Sequence, residues 1–221
     1  MTDARALTGL DVPLIVLVGG ATGTGKSTVT TEVAYRLGIT RVSSTDFVRQ
    51  TLRAFFSHDF MPTIHYSSFE AAQAVRNPAE SLDPVVTGFL EQTRHVLVGV
   101  EAVIRRALEE KYSLALEGVH IVPGLVPATF AGGVVVQCLL AIEDEEVHAR
   151  HFWVRDTASE GLRPVAKYLD ALPEIRRLQR YLVERAERAG VPVIDNTSVE
   201  ETIEAVIGLV LSAVERAKAP A

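Results

Sequence analysis

An unbroken apolar run, Pro13-Leu-Ile-Val-Leu-Val18, gives way to a glycine-rich stretch, after which apolar residues return at helical spacing as Val29, Val33 and Leu37. The first pattern predicts a buried strand and the second a helix over 27–37 with one apolar face. Four more short stretches read as strand candidates, at about 40–44 (Thr-Arg-Val-Ser-Ser), 112–117, 134–142 and 191–195. Helical patterns separate them. Over 83–110 the apolar positions Val86, Leu90, Leu97, Val100, Ile104 and Leu108 form a stripe, with Glu101 and Arg105 four apart on another face, as expected of a packed helix. Ser198-Val-Glu-Glu201 fits a capping box, and Val199, Ile203, Val206 and Val210 continue as the apolar face of a last helix beginning near 198. Strands alternating with helices predict an α/β fold with a parallel sheet, helices on both faces and ligands at the strand C-terminal ends.

Between the first strand and its helix lies Gly20-Ala21-Thr22-Gly23-Thr24-Gly25-Lys26-Ser27, a match to GxxxxGK[ST]. Glycines let the backbone curl so that successive N–H groups face anionic oxygens. Lys26 reaches the β- and γ-phosphates, Ser27 offers a hydroxyl to Mg²⁺, and the helix behind them contributes its positive end. Strand, loop and helix together predict that residues 20–28, through Thr28, bind a nucleoside triphosphate with Mg²⁺.

The chain of 221 residues is 48% hydrophobic, enough to bury one α/β domain with insertions. A net charge of −6 with no basic stripe argues against nucleic acid or an anionic membrane as partner and favours a small molecule. Cys138 is the single cysteine, inside the run 134–142, and reads as a buried strand thiol. Residues 1–12 lack a signal-type apolar stretch, and no run approaches the roughly 18 residues that span a bilayer, so a soluble, cytoplasmic protein is expected. No pair among the six histidines suggests a zinc site, and each reads singly as a satisfied histidine.

Two stretches interrupt the alternation, 46–82 and 146–172. The expected organisation is one domain over 1–221, with a core at 12–45, 112–145 and 189–221. A substrate-binding insertion covers 46–111 and a lid 146–172.

Side chains at the other strand ends distinguish a small-molecule kinase from other phosphate-loop proteins. Asp46 follows the second strand and either faces the γ-phosphate, holding Mg²⁺-bound water or an acceptor hydroxyl, or caps a helix. Glu117-Gly118 ends the third strand, placing Glu117 in the metal shell or in a cap or salt bridge. Arg150, Arg155 and Arg163 occupy the lid stretch and either clamp the transferring phosphoryl group or pair on the surface with Glu143, Asp144, Glu145 or Glu146. Arg49 and Arg53 share one helix face, with His65, Ser67 and Ser68 beyond, a set suited to an anionic substrate.

Ser44-Thr-Asp46 with Arg49, Pro62-Thr-Ile-His65-Tyr-Ser-Ser68, Glu117-Gly-Val-His120-Ile-Val-Pro-Gly124, Arg163-Pro164 with Tyr168, and Val191-Pro-Val-Ile-Asp-Asn196 together resemble the 2-phosphoglycerate kinase family. The resemblance runs from about residue 14 to 205. It implies a three-layer P-loop NTPase fold similar to nucleoside monophosphate kinases, with a five-stranded parallel sheet in the order 2-3-1-4-5. It also implies ATP and Mg²⁺ as co-substrates and phosphorylation of the 3-hydroxyl of 2-phosphoglycerate to 2,3-bisphosphoglycerate. On this reading Lys26, Asp46, Arg155 and Arg163 are catalytic, and Ser27, Asp46 and Glu117 serve the metal. Arg49, Arg53, His65, Ser67, Ser68, Glu117 and His120 hold the acceptor, while Arg150 and Asn196 border the nucleotide. A monomer or homodimer is expected, resembling the family's kinase unit without the N-terminal region that other members carry. Two alternatives stay open: a kinase for another phosphorylated or carboxylated metabolite, and a nucleotide-binding switch or adaptor. The lack of an Asn-Lys-x-Asp element argues against a GTPase.

Overall fold

A computed structural model describes residues 10–75, 77, 81–158 and 165–218, with side chains at all of these except 155–158. Five parallel strands, β1 (Leu14–Gly20), β2 (Arg41–Ser44), β3 (Leu114–Glu117), β4 (Val134–Ala141) and β5 (Val193–Asp195), form one sheet in the order β2-β3-β1-β4-β5. This is the expected three-layer P-loop architecture.

Alternation along β1 builds both faces of the core. Leu14, Val16 and Val18 pack with α1 (Lys26–Leu37) and α7 (Val199–Lys218) through Val29, Val33, Ile203 and Val206. Ile15 and Leu17 face the other way, onto Val96, Val100 and Ile104 of α3 (Pro84–Glu109). Leu139 on β4 meets Ile175, Leu178 and Leu182 of α6 (Leu172–Ala189) on that side. Every residue of β1 is buried, so each large aliphatic there contributes roughly 2 kcal/mol and a charged replacement would break the sheet at its centre.

Two strands start later than the apolar runs suggest, for one reason. Lys111 and Tyr112 close the end of α3, donating to the carbonyls of Leu108 and Ala107, and β3 begins only at Leu114. Gly190 and Val191 likewise close α6 on Glu187 and Ala186, which delays β5 to Val193. These backbone groups satisfy helix carbonyls before they can enter a ladder. At the other end β1 extends to Gly20, because Gly19 and Gly20 pair in register with Leu139 and Leu140.

The first insertion carries α2 (Thr45–Phe55) and two 3₁₀ turns, Pro62–His65 and Ala71–Ala74, lying against α3. The second carries α4 (Glu145–Ala158) and α5 (Val165–Asp170). The N-terminal half of α3 departs from the apolar stripe: Phe89, Gln92, Thr93 and Val96 are buried there, while Val86 and Leu90 are only partly covered. Among the described residues no helix is long and apolar enough to cross a membrane.

Candidate active site

β1 delivers its last glycine to the edge of the sheet, and the chain turns through positive φ at Gly20 (146°), Gly23 (87°) and Gly25 (79°). Gly25 is the N-cap of α1 in a left-handed conformation, and α1 has neither a side-chain cap nor an acidic residue in its first turn. A helix N-terminus left this way attracts an anion. Lys26 is buried, its Nζ donating to Ala21 O at 2.6 Å, and Thr24 Oγ1 donates to the same carbonyl at 3.0 Å. Three more side chains reach the loop from other elements. Asn196 Nδ2 donates to Thr24 O at 2.9 Å, His148 Nε2 lies 2.8 Å from Thr22 O, and His151 Nδ1 lies 3.0 Å from Gly23 O.

Beside the loop, Ser27 Oγ donates to Glu117 Oε1 at 2.9 Å. Both line a cleft of about 380 Å³ with Thr31, Val42, Ser43, Ser44 and Phe47. The parallel register Val18↔Glu117 explains the juxtaposition, since it brings the end of β3 level with the start of the loop. Gly118 follows with φ of 149°, and a Cβ there would stand 1.9 Å from Thr45 Oγ1, so the close approach of α2 to β3 requires glycine. Thr28 is exposed in the first turn of α1.

Asp46 sits in the first turn of α2, but Ser44 caps that helix by accepting from Phe47 N at 3.1 Å. The exposed Asp46 carboxylate pairs with Arg49 at 2.9 Å. Arg49 is buried and donates to the carbonyls of Ile64 (2.9 Å) and Tyr66 (2.8 Å), pinning the Pro62–His65 turn against α2. Arg53, half-buried one turn later, donates to Gln50 Oε1. His65 Nε2 meets Phe56 O at 3.0 Å, Ser67 is partly covered and Ser68 buried.

His120 lies within the protein, between Thr45 Oγ1 and Gln92 Oε1, each 2.9 Å from a ring nitrogen. Burial, aided by the Arg49 charge, pushes its pKa down to about 3, so the imidazole is neutral at physiological pH. Gln92 completes the chain by donating its Nε2 to the carbonyls of Thr63 and Tyr66. The network thus ties β3, α2, α3 and the first 3₁₀ turn into one polar unit.

On α4, Arg150 is exposed and pairs with Glu146 at 3.6 Å. The Arg155 side chain and all of Arg163 lie outside the described residues. The inner face of α4 carries a ring stack instead: His148 on Phe152 (5.5 Å) and Phe152 on Tyr168 (5.2 Å). Burial holds the His148 pKa down at about 4, with the Arg176 charge acting in the same direction and the Thr22 contact opposing it. On α6, Gln179 exchanges hydrogen bonds with the backbone of Ile142, and Arg176 donates to the carbonyls of Ile142 and Glu143, which fixes the chain where it leaves β4.

Sequence reasoning missed Gln92, His148, His151, Arg176 and Gln179. Gln92 did leave a signal, a polar residue on the inward side of the α3 pattern. The spacing of His148 and His151, three apart on one helix face, was the other.

A parallel sheet in this order, with a glycine loop, an uncapped helix and a buried lysine at its C-terminal edge, defines a P-loop α/β protein. No family model matches the chain. The chain is 42% identical over 202 residues to the 2-phosphoglycerate kinase of Methanopyrus kandleri, covering 90% of this chain and 61% of that one. It is 42% identical over 197 residues to the enzyme of that name from Methanothermobacter thermautotrophicus, covering 88% and 64%. The figures for the Thermococcus kodakarensis protein of the same name are 39% over 211 residues, covering 96% and 71%. The chain belongs to the 2-phosphoglycerate kinase family. It spans less than two thirds of the length of the first two relatives. A shikimate kinase from Acinetobacter baumannii, solved in complex with shikimate, is a distant likeness at 19% identity, with 95% of this chain and 97% of that one covered and a TM-score of 0.46.

Proposed function

We propose that this chain transfers the γ-phosphoryl group of ATP to the 3-hydroxyl of 2-phosphoglycerate, giving 2,3-bisphosphoglycerate. The observation that carries the reading is the uncapped N-terminus of α1 behind Gly25, with Lys26 beside it and no acidic residue in the first turn. Such an end suits a triphosphate tail. The oxygen donors Ser27 and Glu117, 2.9 Å apart, suit Mg²⁺, which keeps several waters and takes few protein ligands. When bound, that ion would supply neutralisation of the negative charge on the phosphate oxygens.

The chain's own groups do the rest. Loop N–H groups and Lys26 hold the phosphate oxygens while charge shifts toward the leaving group. Asp46, exposed in the first turn of α2, is the group we assign to the acceptor hydroxyl, receiving its proton as the oxygen attacks. Arg53 and His65, with Ser67 and Ser68, form the anion-holding wall of the acceptor site. Arg49, His120 and Gln92 shape that wall from behind. We assign the clamping role to Arg155 and Arg163, with Arg150 at the nucleotide edge, and read 146–172 as a lid that excludes water. Asn196 borders the nucleotide through the loop carbonyl it holds. Cys138, buried in β4 with its thiol pKa pushed up to about 12, fits a reducing cytoplasm.

ADP release measured with 2-phosphoglycerate and a panel of phosphorylated and carboxylated three-carbon acids, sugars and nucleotides tests the proposal. Turnover confined to 2-phosphoglycerate is the expected result. Faster turnover of another acid would reassign the acceptor, and Mg²⁺-ATP binding without turnover of any member would point to a switch.

A further inference from the structure

Four consecutive carbonyls of the phosphate loop, from Ala21 to Thr24, each meet a side-chain nitrogen: Lys26, His148, His151 and Asn196 in that order. Two of these partners come from α4, the first helix of the stretch read above as a lid. A carbonyl only accepts, so His148 Nε2 and His151 Nδ1 must each carry the proton that is shared. His148, neutral, then has a bare Nδ1, in keeping with that atom being buried without a partner.

A trans peptide unit is planar, and its C=O and N–H point in opposite directions. Holding the Thr22 carbonyl outward therefore turns the Gly23 N–H inward, and holding the Gly23 carbonyl turns the Thr24 N–H inward. Asn196, which holds the Thr24 carbonyl, does the same for the Gly25 N–H. Left unheld, a glycine-rich segment rotates these planes at little cost, because glycine has access to both signs of φ. The contact with α4 is tight: a Cβ on Gly23 would stand 2.5 Å from the Phe152 ring and 3.0 Å from His148 Nε2.

We infer that His148 and His151 are positioning residues of this chain, which orient the Gly23 and Thr24 amides for the triphosphate and couple α4 to the loop. Their role rests on the kinase reading for its ligand, but the orientation of the amides does not. A shift of α4 moves two donors at once, so helix placement and phosphate affinity change together.

Alanine at either position removes the donor, His151→Asn returns one at the Nδ1 position, and His148→Gln returns one near Nε2. Nitrogen-15 relaxation on the chain alone reads the Gly23 and Thr24 amides. The expected order parameters are about 0.85 in the natural chain and the restoring variants, and below about 0.6 in the alanine variants. Calorimetry with Mg²⁺-ATP should show about tenfold weaker binding for each alanine variant, recovered in His151→Asn and His148→Gln, with the KM for the acceptor unchanged. Alanine variants that fold yet keep rigid amides, or restoring variants no better than alanine, overturn the inference. If His148→Ala fails to fold, the partly exposed His151 series decides alone. Failure of the natural chain to bind Mg²⁺-ATP would sink the kinase reading, and the relaxation data would still decide this one.

Discussion

Ser27 Oγ donates to Glu117 Oε1 across 2.9 Å, joining the residue after the loop lysine to the last residue of β3, 90 positions away in sequence. The pair sets one carboxylate beside the phosphate loop and leaves the other nearby carboxylate, Asp46, turned toward Arg49. On the proposed reading, that arrangement assigns Glu117 to the metal side and Asp46 to the acceptor side.

Glu117→Gln preserves an oxygen for Ser27 and removes the charge. Its expected effect is a fall of about a hundredfold in kcat/KM with a higher Mg²⁺ requirement and little change in unfolding free energy. Steady-state kinetics over a magnesium titration checks it, and natural rates in the variant would remove Glu117 from the metal side.

Lys26→Ala deletes the loop cation and its hydrogen bond to Ala21 O. Turnover should drop by about a thousandfold, whereas folding should lose only about 1 kcal/mol, the worth of one hydrogen bond. Single-turnover rates beside a denaturant titration separate the two quantities. Unchanged turnover would remove the mechanism.

Arg49→Met and Arg53→Met should differ in kind. Arg49 is buried on two carbonyls and a carboxylate, so its loss strips the buried Ile64 carbonyl of that donor, leaves Tyr66 O to Gln92 alone and unpins the turn, costing about 2–4 kcal/mol of stability. Arg53 donates to Gln50 near the surface, so its loss should change stability by less than about 0.5 kcal/mol while raising the KM for the acceptor. Urea unfolding and acceptor titrations on both variants give the comparison. Equal stability losses would contradict the assignment.

Acid should weaken the fold through two buried histidines as the pH falls below about 6.5. His120 and His148 are buried neutral, with pKa values of about 3 and about 4, whereas the unfolded chain takes up those protons near pH 6.5. Between those limits the unfolded state binds more protons, so stability falls as pH drops, by up to about 1.4 kcal/mol per pH unit for each histidine. Below the folded pKa values that loss levels off. Unfolding free energies from pH 7 to 5 should show the slope, and His120→Gln should make it shallower. A natural chain with flat stability over that range would show that both imidazoles accept protons in place.

The sequence pattern located the central strands β1, β3 and β4 because a buried parallel strand must be apolar along most of its length, while the short edge strands β2 and β5 were legible from their place in the strand–helix alternation. It missed boundaries where helix ends compete for the same backbone groups, as at Lys111 to Tyr112 and Gly190 to Val191. The residues 20–27 were legible as a site since their chemistry is local: positive φ, a helix start and a lysine follow one another in the chain.

Arg49 and His120 show where reading from residues stops. The residue pattern suited Arg49 to an anionic substrate and the family resemblance added His120, and the fold turns both inward to hold the Pro62–His65 turn and its neighbours. A motif states which side chains are present, but whether a guanidinium faces a ligand or two carbonyls depends on contacts such as Arg49 to Ile64 and Gln92 to His120, between elements distant in sequence.

The sequence by itself determined a parallel α/β sheet, a phosphate loop and the helix that backs it, since each follows from neighbours a few residues apart. Only tertiary structure decided that Ser27 meets Glu117, that α4 grips the loop through His148 and His151, and that Gln92 joins His120. Those pairings depend on strand register and helix docking, which set distances of 2.8 to 3.0 Å between groups that no local pattern relates.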